Sequence, residues 1–356
     1  MRGSLLPGMD VLDDDAQWRE ELVTRTIATI LVLGTTALAT PAYAGSLTPP
    51  GPPSPTMKPL DVVEPRTPIS SLPFTISQSG SYYLTRDLTI SGSGNGITIL
   101  SAAVGASLDL KGYALIGSGA SLSSGILIQA GENVSIRNGT VRGWAYGITA
   151  NSGSGTRLSQ IISTGNSLDG LNFTGGGEIF DCTVTGNGQF GISTWDDVTV
   201  RGSHVTGNGW TGVFLSGYRN SIESSLVSGN GSSGFTGQYY WRAGIWANTS
   251  SRVVGCNVHS NAWDGIIVGN GNQITDNHST GNGLSGISSI SGNGNRIEGN
   301  HLWGNSSMGV YIGGAGNILV RNTASNNTQG SFSVVGGNVA PMENGTLTNV
   351  ASNVSF

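Results

Sequence analysis

Charge is scarce in this sequence. Asp, Glu, Lys and Arg make up 10% of the 356 residues, against the roughly 25% usual in globular domains. A charged disordered tail would need the opposite composition. The formal net charge of −5 comes without any basic run, so no nucleic-acid partner is expected. Cysteine is nearly missing as well: two residues are too few for a disulfide scaffold. No window sustains a 3.6-residue apolar period, and the 57 glycines are spread throughout, which argues against helices. The apolar run Ile27–Leu38 (IATILVLGTTAL) is too short to span a membrane. With Arg25 before it and Ala42-Tyr43-Ala44 after it, the run reads as a secretory signal peptide with a small-x-small cleavage site. The acids ahead of it (DDD, then EE) do not suit a positively charged leader. Residues 1–22 are therefore read as a mis-assigned extension, with Val23 as the true start and residues 23–44 as the signal peptide.

Residues 45–68 are rich in proline (TPPGPPSPTMKP) and read as an extended, semi-rigid spacer. Loss of residues 1–44, with three Arg and six acids, takes the net charge from −5 to −2. Such a balance exerts no strong electrostatic pull on a partner. The expectation is a secreted protein, periplasmic, extracellular or at the cell surface, with no membrane insertion.

What the chain does have is a beat. Gly165-Asn166, Gly186-Asn187, Gly207-Asn208, Gly229-Asn230, Ser260-Asn261, Gly281-Asn282 and Gly304-Asn305 follow one another at spacings of 21, 21, 22, 31, 21 and 23. In most repeats a Gly-aliphatic pair follows five residues later, as in Gly191-Ile192 and Gly265-Ile266. A period near 22 with short β-like runs and Gly/Asn turns predicts an all-β solenoid of parallel strands over residues 69–340, N-terminal cap included, with residues 341–356 as the C-terminal cap. Two interior columns are then legible: Leu158, Ile179, Val200, Ile222, Val253, Ile274 and Ile297, and Leu171, Ile192, Val213, Ile245, Ile266, Ile287 and Val310. The register also stacks Asn277, Asn300 and Asn322 into a polar ladder. It sets Arg157 over Glu178 and Arg201 over Glu223 as structural pairs. Cys182 and Cys256 fall in one column, separated by Ser203 and Ser225. At ~4.8 Å per coil they lie about 14 Å apart, too far for a disulfide, and two free buried thiols are expected.

The opening PISSLPFTISQSGSYYL (Pro68–Leu84), followed by coils of the GNG…GI type, resembles secreted bacterial right-handed parallel β-helix repeat proteins of the pectate-lyase-like superfamily. The resemblance covers about residues 62–340 and implies a right-handed parallel β-helix. For activity it implies several alternatives, since that group includes lyases, hydrolases and adhesins.

One repeat is longer than the rest. Between Gly229-Asn230 and Gly244-Ile245 about ten additional residues enter the five-residue turn, and the interruption (FTGQYYWR) brings Tyr239, Tyr240, Trp241 and Arg242. Trp210 and Trp263 occupy the same turn on neighbouring coils. The outward column after that turn runs Asn172, Ser193, Phe214, Trp246, Ile267, Ser288 and Tyr311. Three readings stand side by side: a platform for sugar faces with Arg242 fixing hydroxyls or carboxylates, a satellite core under the loop, or a protein interface. The partner in the first reading is a polysaccharide or cell-surface glycan.

For catalysis the sequence offers Asp196 and Asp197, with Arg219 one coil above Asp197. Family lyases hold Ca²⁺ on carboxylates and abstract a uronate C5 proton with a basic side chain. By that resemblance Asp196 and Asp197 would hold Ca²⁺ and Arg219 or Arg242 would be the base. Lysine is an improbable base, because only Lys58 and Lys111 lie beyond residue 44. The Asp clusters, His-Gly and Arg-x-Lys elements of the family hydrolases are not recognisable. The bland alternative makes Asp197–Arg219 a surface ion pair, and makes Asp169 and Asp264 turn formers. His278 and His301 share an outward column near His259, but without the convergence a metal site needs. The leading expectation is a carbohydrate-recognising protein without a cofactor. A Ca²⁺-dependent uronate lyase and a structural or adhesive repeat protein are the alternatives.

Overall fold

The computed structural model describes residues 65–119, 122–130, 132–151, 153–232, 242–335, 338–339, 342–344 and 352–355. Among these residues every regular element is a strand, and neighbouring strands run parallel. Each coil gives one strand to a sheet of twelve, which starts at Phe74–Ile76 and ends at Gly330–Val334. Most coils add two further short strands, such as Val198–Arg201 and His204–Thr206, that continue around the other faces. The first segment already lies in these ladders, with Thr67 opposite Tyr82 and Phe74 opposite Ile97.

Alternation builds the core. In Ile192–Thr194 the first and third side chains are buried and Ser193 faces out. Both aliphatic columns are realised in register: Val200 pairs with Ile179 and Ile222, and Val213 with Ile192 and Ile245, all fully buried. Each coil buries its apolar face only against the coils above and below, so the core is a continuous stack.

The Gly-Asn step has a double cause. Its glycines adopt the left-handed backbone, for example Gly207 at φ 63°, where a Cβ is unfavourable; Ser260 takes φ 54° in their place. Its asparagines turn inward and form a ladder that the sequence reading took only as turn punctuation. Asn187 donates to Asn208 Oδ1 through both its backbone N–H (3.1 Å) and Nδ2 (2.9 Å). Asn208 treats Asn230 in the same way, and the run continues through Asn261, Asn282 and Asn305 to Asn327. Each Oδ1 accepts twice, and the remaining Nδ2 hydrogen caps a carbonyl such as Ser163 O, so a buried amide leaves nothing unpaired. The glycine of the later Gly-aliphatic pair is required for a different reason. A Cβ on Gly244 would stand 2.5 Å from Asn261 Nδ2 and 2.7 Å from Gly265 O. The motif is thus a glycine seat for an asparagine ladder.

The expected ladder of Asn277, Asn300 and Asn322 is present, with Nδ2-to-Oδ1 bonds of 3.0 and 2.9 Å, and it runs on to Asn353. Among the charge pairs, Arg157 binds Glu178 at 2.9 Å. Arg201 and Glu223 are opposite one another in the backbone register but do not form the expected pair. The Arg201 guanidinium lies over the Phe180 ring, 5.0 Å from its centroid, while Glu223 accepts from Ser221 Oγ and faces Arg252 at 3.9 Å. An aromatic neighbour in register on the preceding coil competes successfully for an exposed guanidinium.

Cys182 and Cys256 are free and buried. Burial pushes the Cys182 thiol up to about 12 and that of Cys256 up to about 11. Neither forms a thiolate near neutrality, so a disulfide-exchange reagent at about pH 8 will label none in the folded protein. Both will react once denaturant is added. Labelling of the folded chain would show that these coils open.

Candidate functional site

The outward column of the twelve-stranded sheet is continuous in register: Asn172 pairs with Ser193, Ser193 with Phe214, Phe214 with Trp246, Trp246 with Ile267, and Ile267 with Ser288. Phe214, Trp246 and Ile267 therefore share one face, as their spacing predicted. The rings do not lie flat as a platform. Phe214 and Trp246 stack with centroids 4.4 Å apart and planes at 25°, and Phe190 stacks on Phe214 at 4.9 Å. Trp210 meets Phe190 edge-on at 5.1 Å. Side chains on adjacent parallel strands are ~4.8 Å apart, which suits ring stacking along the axis and turns each face toward its neighbour. The inner part of this cluster is a satellite core: Phe190 is 8% exposed and Ile267 2%.

Trp246 follows Phe214 in that stack, one coil on. Beyond it, on the coils of Ile267 and Ile290, a groove of about 230 Å³ opens, lined by Trp246, Asn248, Ile267, Asn270, Ile290 and Ser291. Asn248 Nδ2 donates to Ser216 O at 2.6 Å, which fixes the plane of its amide. Arg242 returns from the inserted loop with its guanidinium 5.4 Å from the Trp263 ring centre and Nε donating to Gly231 O at 3.2 Å. Tyr239, Tyr240 and Trp241 lie outside the described residues. The structure thus joins Trp210, Phe214 and Trp246 through Phe190, and pairs Arg242 with Trp263.

Phe190, Asn248, Asn270 and Ile290 were not singled out from the sequence. Phe190 precedes a turn glycine, a position also held by Asp169 and Asp264 and therefore read as local turn chemistry. The asparagines sit in a polar, Asn-rich chain and carry no pattern of their own. Their signal was available only as neighbours of Trp246, Asn248 on its own strand and Asn270 one coil on.

Asp169 and Asp264 are not local turn formers. Each caps the next coil: Asp169 Oδ1 accepts from Phe190 N at 3.2 Å, and Asp264 Oδ1 from Ser285 N at 3.0 Å. Asp169 Oδ2 also accepts from Asn172 Nδ2 at 2.9 Å. Asn172 lines a second groove on the same face, of about 350 Å³, with Asn95, Leu127, Tyr146, Thr149 and Asn151. Burial raises the Asp169 carboxyl to about 6. Its folded value lies above the unfolded one, so the folded state holds the proton more tightly. The associated stability, on the order of 2–3 kcal/mol, is full below about pH 4 and is lost as pH rises through about 6. Thermal melts from pH 4 to 7 will show a steeper decline for the wild type than for Asp169→Asn. Parallel profiles would contradict the assignment.

The acid candidates are otherwise engaged. Asp196 Oδ1 accepts from Tyr218 N at 2.6 Å. Asp197 takes Arg219 in a two-pronged ion pair, 2.7 Å on each oxygen, which holds its carboxyl below the usual range. Both partners are exposed. His278 and His301 have ring centroids 5.5 Å apart, and His301 Nδ1 bonds Thr323 Oγ1. His259 Nδ1 is with Ser260 Oγ. Among the described residues no three His, Cys, Asp or Glu gather as metal ligands do, and no helix is long and apolar enough to cross a membrane.

A family model described as a right-handed β-helix region matches residues 124–240 and 236–354. Solved structures share the fold at low identity. The Dettilon tailspike protein is 15% identical, with 82% of this chain and 61% of that one covered and a TM-score of 0.53. The catalytic domain of an α-1,3-glucanase in complex with nigerose is 12% identical over 81% and 63%, with a TM-score of 0.50. The A-module of the Azotobacter vinelandii mannuronan C-5 epimerase AlgE6 is 16% identical over 82% and 88%, with a TM-score of 0.49. A search of curated proteins found no match.

Proposed function

The chain belongs to the right-handed β-helix family, and on that scaffold we propose a secreted carbohydrate-recognising protein that holds a polysaccharide on the outward face of its twelve-stranded sheet. The observation that carries this reading is Trp246: an indole stacked on Phe214 and bordering a groove edged by Asn248 and Asn270. A pyranose ring presents apolar C–H faces and a rim of hydroxyls, so it needs an apolar surface with neutral amides beside it. The inserted loop, with Tyr239, Tyr240 and Trp241, would complete the site, and Trp210, Phe214, Arg242 and Trp263 support it. A glucanase domain in complex with nigerose is among the similar folds, which supports the reading.

No observation favours the lyase alternative. It needs Asp196 and Asp197 to turn oxygens to one Ca²⁺ and an arginine to face a substrate proton. Asp196 is bonded to Tyr218 N, Asp197 and Arg219 hold each other, and Arg242 is over Trp263.

Affinity electrophoresis of the full chain through gels containing a panel of polysaccharides tests the reading. At least one glycan should retard the protein, and free oligosaccharide should restore its mobility. A folded protein that runs unretarded through every gel would overturn the proposal.

A further inference from the structure

The twelve strands of this sheet contain no Asp, Glu, Lys, Arg or His, although each has at least one side chain turned outward. The outward column is Thr75, Thr98, Leu127, Thr149, Asn172, Ser193, Phe214, Trp246, Ile267, Ser288, Tyr311 and Ser333 in unbroken register. At the chain's own charge content of 10%, the 53 residues of these twelve strands would carry about five charges. They sit instead on the other strands, as Arg157, Glu178, Arg201, Glu223, Arg252 and Arg296. Neither groove is lined by a charged residue. The loop residues 233–241 (SGFTGQYYW) add none by sequence. Arg242, the cation beside them, is directed to Trp263 and Gly231 O.

Resting on the carbohydrate reading above, we infer that the ligand of this face is an uncharged polysaccharide, a neutral glycan and not a polyuronate or sulfated chain. A polyanion laid along this face would bring a carboxylate with nearly every sugar, and desolvating each costs several kcal/mol unless a cation or several donors receive it. The twelve strands offer no cation. Asp169 and Asp264, buried at the edge of the face, add carboxyl groups of their own. A neutral glycan asks for the opposite. Its hydroxyls need groups that both donate and accept without charge, and the amides of Asn248, Asn270, Asn151 and Asn172 supply them. Tyr146 adds a phenol that burial and the charge of Asp169 keep protonated, hence a donor. The two grooves lie on one charge-free strip: Thr149 and Trp246 are four register steps apart, about 19 Å at ~4.8 Å per step. A polysaccharide several sugars long meets no charge between them.

The test is calorimetric titration of the full chain with neutral glucans, mannans and galactans, and with polygalacturonate and alginate with and without Ca²⁺, at about 20 and about 300 mM NaCl. A neutral polysaccharide should bind, with less than about a twofold change in Kd across that range, since no ion pairs are screened. The uronates should not bind at either salt. Uronate binding that weakens with salt or requires Ca²⁺ would overturn this inference and leave the carbohydrate reading standing. If no polysaccharide binds and Trp246→Ala abolishes a self-association seen by sedimentation, both fail and the strip is a contact between copies.

Discussion

Replacing Asn230 with Ala lowers the unfolding free energy by about 4 kcal/mol. Asn230 is fully buried. Its Oδ1 receives Asn208 N at 3.0 Å and Asn208 Nδ2 at 2.9 Å, and its Nδ2 serves Val205 O and Asn261 Oδ1, each at 3.0 Å. Truncation strands two donors on Asn208 and the Val205 carbonyl inside a packed stack. Each buried group without a partner costs about 1–3 kcal/mol, so the sum far exceeds the ordinary effect of a single substitution. Urea unfolding followed by circular dichroism measures it. Asn257→Ala, at an exposed position of the next coil, should stay within about 0.5 kcal/mol of wild type. A loss below 1 kcal/mol at Asn230 would mean that water replaces the amide and that the ladder contributes little.

Trp246→Ala weakens polysaccharide binding by about 100-fold, near 2.7 kcal/mol. The substitution removes the indole that borders the groove and also the ring that Phe214 stacks against. Some stability is lost with the stack, so Trp246→Phe is the informative companion. A phenyl ring can keep the stacking while offering less surface to the sugar, and binding should fall by only about 3–10-fold. Trp303, half exposed on a strand of another face, supplies the control. Its replacement by Ala should leave binding unchanged, and equal losses at both tryptophans would point to general aromatic stickiness.

The fold was legible because a solenoid writes its geometry as a period. Once Gly165, Gly186 and Gly207 fix the step, every column follows, and Phe214, Trp246 and Ile267 could be placed on one face without coordinates. Two things were not legible. One was the direction of a side chain at a turn: Asn187 and Asn208 read as loop punctuation, whereas the paired glycines let their amides turn inward. The other was competition among exposed side chains. Arg201 stands opposite Glu223 yet goes to Phe180, because exposed ion pairs and cation–ring contacts are similar in energy and strand register decides neither. The site was half legible for a related reason. Aromatic residues stand out in a polar chain, while Asn248 and Asn270 do not, and Phe190 joined the stack through a ring contact across coils. Absence of charge from a whole sheet became visible only after the strands were assigned to faces.

A crystal structure of the protein with a neutral oligosaccharide would test the central claim most directly. The account predicts sugar density on the twelve-stranded face, with one ring against the Trp246 indole and hydroxyls within hydrogen-bonding reach of Asn248 and Asn270. Density on a charge-bearing face, or none at saturating ligand with the groove open to solvent in the crystal, would contradict it.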